Sequence, residues 1–182
     1  MDKKTKSVLI YIGELVVMAL VTFAVFTYIV KPVHIEGQSM NPTVHDNDLA
    51  LVNVIGLKTE GVERFDVVII DSDRLSEHLI KRVIGLPNET ITYQDDVLYV
   101  DGVAIAEDFL DPEFVETSKQ ETGSALFTNN FTYTLGEGEY FVMGDNRLRS
   151  EDSRALGPFT IDEFMGKNGM AIYPFDHFGW IE

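Results

Sequence analysis

The chain has 182 residues, a hydrophobic content of 45% and a net charge of −16, which leaves room for one membrane anchor and one folded domain of roughly 150 residues. Residues 1–32 sum to +2, because four lysines outweigh Asp2 and Glu14, so residues 33–182 carry −18, and no nucleic-acid partner is expected for so acidic a domain. The absence of cysteine excludes disulfides, thiol nucleophiles and cysteine metal sites.

A basic start and a long apolar run open the chain. Three lysines among the first six residues precede residues 8–30, in which Glu14 is the only charge. A helix of that length spans roughly 34 Å, enough for a hydrocarbon core of about 30 Å. A cleavable signal peptide shares the basic start, but the run is long for one and no small-x-small cleavage pattern precedes Lys31. The pattern predicts a single-pass protein of the cell membrane, with residues 1–31 as cytoplasmic N-terminus and signal anchor and residues 32–182 as an extracytoplasmic domain.

Short β-like runs separated by turn residues follow the apolar segment. The candidate strands are residues 49–54, 67–71, 79–84, 90–94, 97–100, 131–134, 140–143 and 170–173. Asp95-Asp96 and Asp101-Gly102 predict hairpin turns between successive strands. Helical periodicity beyond residue 31 is weak apart from a short turn at 161–165, so we expect a mostly β domain of partly closed or packed sheets. Residues 105–138, irregular and strongly acidic, are expected to form an inserted loop or small subdomain.

Ser39 lies on a short constrained turn soon after the predicted anchor. Gly37 supplies a flexible backbone and Pro42 fixes φ, so a small hydroxyl side chain is presented in a restricted geometry. Glycine, asparagine, serine and proline are also the usual residues of plain turns. This stretch alone leaves both a nucleophile and an ordinary turn open.

Lys81 lies within the predicted strand 79–84, where it shares one face with Val83. A lysine on an edge strand is a common polar residue. A buried lysine would instead have its pKa lowered from about 10.4 toward neutrality by desolvation, and could then take a proton from a serine. The strand pattern alone favours a solvated lysine on an edge strand over a buried base.

A loop rich in polar side chains follows the strand 140–143. Aspartate and arginine close together can form a bidentate pair that stiffens such a loop, and a serine hydroxyl can orient a neighbouring amine. The loop holds Asp145, Ser150, Asp152 and Arg154 within ten residues. By itself it predicts only a well-bonded loop.

Taken together, four segments resemble the type I signal peptidase family in its Gram-positive-like, single-anchor form. They are residues 37–43, 64–68, 81–87 and 144–154, in the family's order behind an N-terminal anchor. The resemblance implies a β-rich, membrane-apposed catalytic domain with a small insertion between the lysine and Gly-Asp-Asn motifs. It implies a membrane-bound serine endopeptidase that removes signal peptides from secreted preproteins after Ala-x-Ala-type sites. Secretory preproteins and the lipid bilayer are then the expected partners, with no cofactor and no metal.

The same resemblance assigns roles to individual residues. Ser39 matches the nucleophile and Lys81 the general base of a Ser–Lys dyad, and Ser150 matches the serine whose hydroxyl orients the lysine amine. The supporting residues are Asp145, Asp152 and Arg154, of which the last two match an ion pair; they lie in residues 144–154, called the catalytic loop below. The residues that match the shallow pockets for small substrate side chains are Val33, Ile35, Val44, Leu79 and Ile80.

Two departures from the family pattern, at Gly37 and at Asn88 after Leu-Pro, are present, and rival functions remain to be weighed. Some members carry a second serine where this chain has Gly37, so the oxyanion would depend on backbone N–H groups such as that of Ser39. A Ser–His–Asp hydrolase could use His45, but no Gly-x-Ser-x-Gly elbow is present, and a metalloprotease would need His-Glu-x-x-His. A non-catalytic, membrane-anchored domain for peptide binding or envelope assembly would not depend on Ser39 or Lys81.

Overall fold

The N-terminal helix is the longest element of the computed structural model, which describes residues 2–71 and 78–181. Helix α1, Lys3–Tyr28, exposes its apolar side chains along its length and is long and apolar enough to cross a membrane. The apolar run was expected to stay helical as far as residue 30, but Val30 already opens the first strand. Strand pairing explains this, because Val30 lies opposite Asn53, and the Ile29 carbonyl accepts the backbone N–H of Val54.

The rest of the described chain forms two antiparallel sheets and three short helices. The strands are β1 Val30–His34, β2 Leu49–Asn53, β3 Val67–Ile70, β4 Leu79–Gly85, β5 Thr90–Gln94, β6 Val97–Val100, β7 Val103–Ile105, β8 Phe131–Thr134, β9 Glu139–Met143, β10 Phe159–Thr160, β11 Phe164–Tyr173 and β12 Gly179–Ile181. The larger sheet has the order β1-β2-β11-β3-β4-β9-β10, with β12 paired to β11, and the smaller sheet has the order β7-β6-β5-β8. The remaining helices are α2 Val54–Glu60, α3 Pro112–Thr122 and α4 Ser153–Leu156. The expected β-rich fold behind an apolar helix is confirmed.

The predicted strands are all present, and the turns between β5, β6 and β7 have the expected conformation. Asp95 and Asp96 both have positive φ, at 53° and 63°, as do Asp101 and Gly102. The prediction missed β1, β7, β10, β12 and the first half of β11. Glycines at 166 and 169 hide that half, because glycine is depleted in strands, and β1 is hidden because it continues the apolar run.

Helix α3 contradicts the expectation that residues after 31 contain almost no helix, and α2 does the same. Asp111 caps α3 by accepting the backbone N–H of Glu113, Pro112 occupies its first turn, and Gly123 ends it at φ 66°. These start and stop signals are in the sequence, but the helix buries only Ser118, so the apolar period is weak. Residues 105–138 thus contribute α3 and β8, and β8 pairs with β5, which lies outside that range.

The core beneath the larger sheet fixes the loop that carries Ser39. Met40 and Val44 belong to this loop and are almost completely buried. They pack in one cluster with Ile35 and with Val52 and Ile80 of two sheet strands. The backbone on both sides of Ser39 is therefore anchored to the sheet, which limits the positions that its hydroxyl can take.

Candidate active site

Residues 35–48 form the Ser39 loop, which joins β1 to β2. The loop closes on itself, because the Ile35 N–H donates to the Asp48 carbonyl and the Asn47 N–H donates to the Ile35 carbonyl. Gly37 takes φ 88°, a region that favours glycine, and its N–H donates to Asp46 Oδ1 at 2.7 Å. A side chain at position 37 would strain this turn, which accounts for a glycine there.

Strand β4 brings Lys81 to the Ser39 hydroxyl. Lys81 Nζ lies 2.7 Å from Ser39 Oγ and donates a hydrogen bond to the Ile80 carbonyl at 2.9 Å. Lys81 is only 2% exposed, so it is not the solvated edge-strand lysine that the strand pattern alone favoured. A buried amine within hydrogen-bond distance of a loop serine is an arrangement that can activate a nucleophile.

Asp145 pairs with Arg82, the residue that follows Lys81. Arg82 Nε and Nη2 donate to the two carboxylate oxygens at 2.9 and 2.8 Å, and both side chains are 1% exposed. The Thr43 hydroxyl of the Ser39 loop donates to the same carboxylate at 2.5 Å. Asp145 therefore joins the lysine strand to the serine loop. Arg82 Nη1 also donates to the Phe65 carbonyl at 2.8 Å, so the 64–68 motif positions the arginine.

Asp152 and Arg154 form the second ion pair of the catalytic loop, with Arg154 Nε and Nη2 each 2.8 Å from a carboxylate oxygen. Asp152 also accepts the Gly144 N–H at 3.1 Å, and Arg154 Nη2 donates to the Arg147 carbonyl at 2.8 Å. The pair therefore fixes the backbone of the loop at both Gly144 and Arg147.

Ser150 lies beside this backbone but does not make the contact expected of it. Its hydroxyl is buried and forms no hydrogen bond to Lys81, and among the described residues its effect is on Asp152, whose pKa it helps to lower. A Cβ atom on Gly144 would lie 2.3 Å from both Ser150 Oγ and the Ser39 carbonyl oxygen. Glycine at 144 thus lets the catalytic loop approach the Ser39 loop, and the lysine-orienting role of Ser150 stays a prediction.

Asn146 adds two contacts that the sequence analysis did not anticipate. Its backbone N–H donates to the Ser39 carbonyl at 3.0 Å and its side-chain amide donates to the Gln38 carbonyl at 3.1 Å. The buried oxygens Asn146 Oδ1 and Asn41 Oδ1 have no hydrogen-bond partner in the described part of the chain. Buried unpaired polar atoms are rare and call for an explanation such as a bound water or substrate.

Arg147 connects the catalytic loop to the smaller sheet. Its completely buried guanidinium donates to the Gly144 carbonyl, to the Tyr93 hydroxyl and to Glu107 Oε1, at 3.0, 2.7 and 2.5 Å. Burial raises the pKa of the Tyr93 hydroxyl well above its ordinary value, so this hydroxyl stays neutral. No functional role was predicted for Arg82 or Arg147, and their place inside the motifs was the signal that could have found them.

Four of the five predicted pocket residues line one small depression. Val33, Ile35, Leu79 and Ile80 form its walls together with His34, Glu36, Ile69 and His78. Val44 does not reach this depression and is instead buried in the core beside Ile35. Val44 can therefore support the pocket wall but does not line it in this structure.

The Asp152–Arg154 pair predicts a pH dependence of stability. Burial alone would raise the pKa of Asp152, but the hydrogen bonds and charge of Arg154 outweigh it and hold that pKa below its ordinary value. The resulting stabilisation is complete above the unfolded-state pKa of about 3.9 and is lost as the pH falls through the lower folded-state value.

We therefore expect the free energy of unfolding to differ between the wild type and Asp152→Asn at neutral pH, and the difference to shrink as the pH falls below about 4. Denaturant titrations of both proteins from pH 7 to pH 2 measure it. A difference that stayed constant down to pH 2 would contradict the assigned ionisation.

The family model, the curated relatives and the solved structure that this chain resembles are all signal peptidases. The family model described as "Signal peptidase, peptidase S26" matches residues 8–173. Signal peptidase IB of Staphylococcus aureus (strain COL) is 34% identical over 179 residues, which cover 95% of this chain and 93% of that relative. Signal peptidase I T of Bacillus subtilis (strain 168) is 35% identical over 175 residues, which cover 96% and 90%. A crystal structure of a signal peptidase I from Enterococcus faecalis V583 aligns with a TM-score of 0.51 and 37% identity, over 58% of this chain and 95% of that one.

The fold and these matches together define a serine peptidase. The chain belongs to the signal peptidase family, peptidase S26, as its four motifs led us to expect. Its activity is the removal of signal peptides, its substrates are secretory preproteins, and its apolar N-terminal helix fits membrane anchoring. Family membership thereby sets aside the non-catalytic binding domain.

Proposed function

We propose that Ser39 is the nucleophile and Lys81 the general base of a Ser–Lys dyad that cuts preproteins after Ala-x-Ala-type sites. The observation that carries this is the 2.7 Å separation of Lys81 Nζ and Ser39 Oγ. A lysine accepts a proton only in its neutral form, and burial favours that form of an amine. With one N–H donated to the Ile80 carbonyl, a neutral amine can direct its lone pair at the serine hydroxyl.

The reaction then proceeds as an acyl transfer. Lys81 takes the hydroxyl proton as Ser39 Oγ bonds to the scissile carbonyl carbon, and the protonated amine returns the proton to the leaving amine of the mature protein. Lys81 then takes a proton from water as the water oxygen bonds to the acyl carbon, and it returns this proton to Ser39 Oγ as the ester bond breaks and the signal peptide leaves. The Ser39 N–H is the proposed oxyanion donor, since Gly37 offers no hydroxyl.

The rival Ser–His–Asp arrangement has less geometric support. The imidazole of His45 stacks on the ring of His177 and makes no contact with Ser39, and its nearest carboxylate is Asp48.

The four predicted pocket residues that line the depression are apolar, which suits small apolar substrate side chains such as that of alanine. Substrate specificity is tested directly by cleaving a preprotein and its variant with leucine at the residue before the cut, followed by N-terminal sequencing of the product. Equal cleavage rates for the preprotein and its leucine variant would contradict the proposed preference for small residues before the cut.

We also propose that the N-terminus is cytoplasmic and that the peptidase domain works at the outer membrane surface. Only Ile29 separates α1 from β1, and the Ser39 loop begins directly after β1. Five strand residues span roughly 17 Å, so the Ser39 loop stays near the end of the anchor. Preproteins present their cleavage sites at the same level, just beyond their own apolar segments.

Deleting residues 1–28 should spare the chemistry but lower activity on membrane-inserted preproteins. The deletion ends at residue 28 so that Ile29 is kept, because the Ile29 carbonyl accepts the backbone N–H of Val54. A deletion to residue 31 would remove part of β1. The anchor supplies local concentration, so we expect at least a roughly tenfold greater loss on an inserted preprotein than on a soluble peptide. Cleavage rates of both substrates by both proteins measure it. Equal losses would show that the anchor instead supports the active site itself.

A further inference from the structure

Two histidines and one aspartate meet at the open end of the Ser39 loop, outside the proposed dyad. The rings of His45 and His177 are stacked, with centroids 4.3 Å apart and an interplanar angle of 26°. His177 Nδ1 lies 2.7 Å from Asp48 Oδ1, and His45 Nδ1 lies 3.9 Å from Asp48 Oδ2. One ligand atom from each residue lies within 4.8 Å of the other two.

Strand pairing brings these distant residues together. Tyr173, at the end of β11, lies opposite Leu49, at the start of β2. The chain beyond Tyr173 turns over the start of β2, where Asp48 is the preceding residue, and a short 3₁₀ turn, Phe175–His177, carries the second histidine. The sheet therefore positions His177 over Asp48 without any local sequence signal.

We propose that His45, Asp48 and His177 bind one divalent transition-metal ion of the zinc type. Two imidazoles and one carboxylate suit zinc, cobalt and nickel, whereas magnesium and calcium prefer sites made of oxygen atoms alone. No metal was expected from the sequence, where His45 and His177 stand 132 positions apart.

The two imidazole rings must rotate out of their stacked arrangement to hold one ion, because an imidazole binds a metal in its own ring plane. Ligand atoms about 2.1 Å from one tetrahedral zinc ion lie roughly 3.4 Å from each other. The two histidine–aspartate distances, 2.7 Å to Asp48 Oδ1 and 3.9 Å to Asp48 Oδ2, lie on either side of that value, and one ligand atom from each residue lies within 4.8 Å of the others. The histidine side chains are 43% and 33% exposed, so their rings can adjust and water can complete the coordination.

Asp48 provides the fixed part of the site. Its side chain is 1% exposed, and its Oδ2 accepts the backbone N–H of His45 at 2.8 Å. Its carbonyl accepts the Ile35 N–H, which closes the Ser39 loop. A carboxylate oriented in this way by a hydrogen bond is typical of metal ligands in proteins.

The ion would join the Ser39 loop to the C-terminal segment. His45 and Asp48 belong to the loop and His177 belongs to the segment between β11 and β12. The dyad chemistry needs no metal, so the expected effect is on stability, and the inference does not depend on the roles of Ser39 and Lys81. Binding to the folded state alone raises the unfolding temperature by mass action.

The test uses untagged full-length protein in detergent, titrated with Co²⁺ and separately with Zn²⁺. We expect one Co²⁺ per chain, with visible absorption bands of a low-symmetry site, and a rise in the unfolding temperature with Zn²⁺. His45→Ala and His177→Ala should each weaken Zn²⁺ binding at least about tenfold. The matched control is His78→Ala, because His78 also faces a carboxylate, Asp71, at 3.3 Å and is partly exposed.

Preprotein cleavage without metal confirms that His45→Ala and His177→Ala are folded, because neither His45 nor His177 belongs to the proposed dyad. The fold of His78→Ala is checked instead by its unfolding temperature, because His78 lines the proposed substrate depression. Unchanged Zn²⁺ affinity in folded His45→Ala and His177→Ala, or an equal loss in His78→Ala, would overturn the proposal. So would the absence of saturable binding by the wild type, which would leave the three residues as a hydrogen-bonded cluster only.

Discussion

Replacing Lys81 with arginine should lower kcat for preprotein cleavage by roughly 10²–10⁴-fold, nearly as much as replacing it with alanine. A guanidinium stays protonated in proteins and therefore cannot accept the proton of Ser39. The substitution keeps a long cationic side chain at position 81. It therefore separates the need for a base from the need for a positive charge. Single-turnover cleavage of a preprotein with an Ala-x-Ala site measures the chemical step directly.

The matched control is Lys58→Arg on α2, where the charged side chain lies on the surface. This variant should cleave at the wild-type rate. Ser39→Ala should reduce the rate at least as far as Lys81→Arg, since it removes the nucleophile itself. Near-wild-type turnover by a folded Lys81→Arg protein would show that Lys81 is not the base.

Removing the Asp145 carboxylate should destabilise the fold by about 3–5 kcal/mol, because it leaves the Arg82 guanidinium buried without a counter-charge. Both side chains are 1% exposed, and Thr43 would lose its acceptor at the same time. Asp145→Ala should therefore lower both the free energy of unfolding and the cleavage rate. Denaturant unfolding of the full-length protein, followed by intrinsic fluorescence, gives the first quantity.

Glu121→Ala offers the matched control for this second experiment. Glu121 pairs with Arg149 at 3.2 Å, but these side chains are 58% and 51% exposed. An exposed pair of this kind contributes at most about 1 kcal/mol, because water solvates each charge when its partner is lost. Similar losses of stability in Asp145→Ala and Glu121→Ala would mean that the buried pair does not hold the two loops together.

The sequence predicted the parts of the site that short motifs and strand periodicity report. Lys81 could be placed on a strand and Ser39 on a turn, and the order of the motifs led to the family. The hairpin turns at Asp95-Asp96 and Asp101-Gly102 were predictable because aspartate and glycine tolerate positive φ. Turns, strand periodicity and short motifs depend on residues that are neighbours in the sequence, so they can be predicted from it.

Other features depend on contacts between distant residues and gave no local signal. Arg82 and Asp145 are 63 positions apart, and only the pairing of β4 with β9 brings them together. Strand β1 was missed because its residues continue an apolar run, and its pairing with β2 decides its conformation. Val44 was placed in a pocket by analogy, whereas packing of the Ser39 loop against the sheet places it in the core.

The hydrogen bonds of the Arg147 guanidinium limit which segments of this enzyme can be exchanged with those of a relative. The guanidinium donates to the Gly144 carbonyl and to Tyr93, Glu107 and Thr128, which belong to the smaller sheet and to residues 105–138. This part of the chain therefore cannot be exchanged freely, since a graft from a relative would have to bring its own acceptors for the Arg147 guanidinium. Chimeras that keep Glu107 and Tyr93 with their native catalytic loop should remain folded and active. Chimeras that take Arg147 from one protein and its acceptors from another would leave the Arg147 charge unpaired in the interior of the protein.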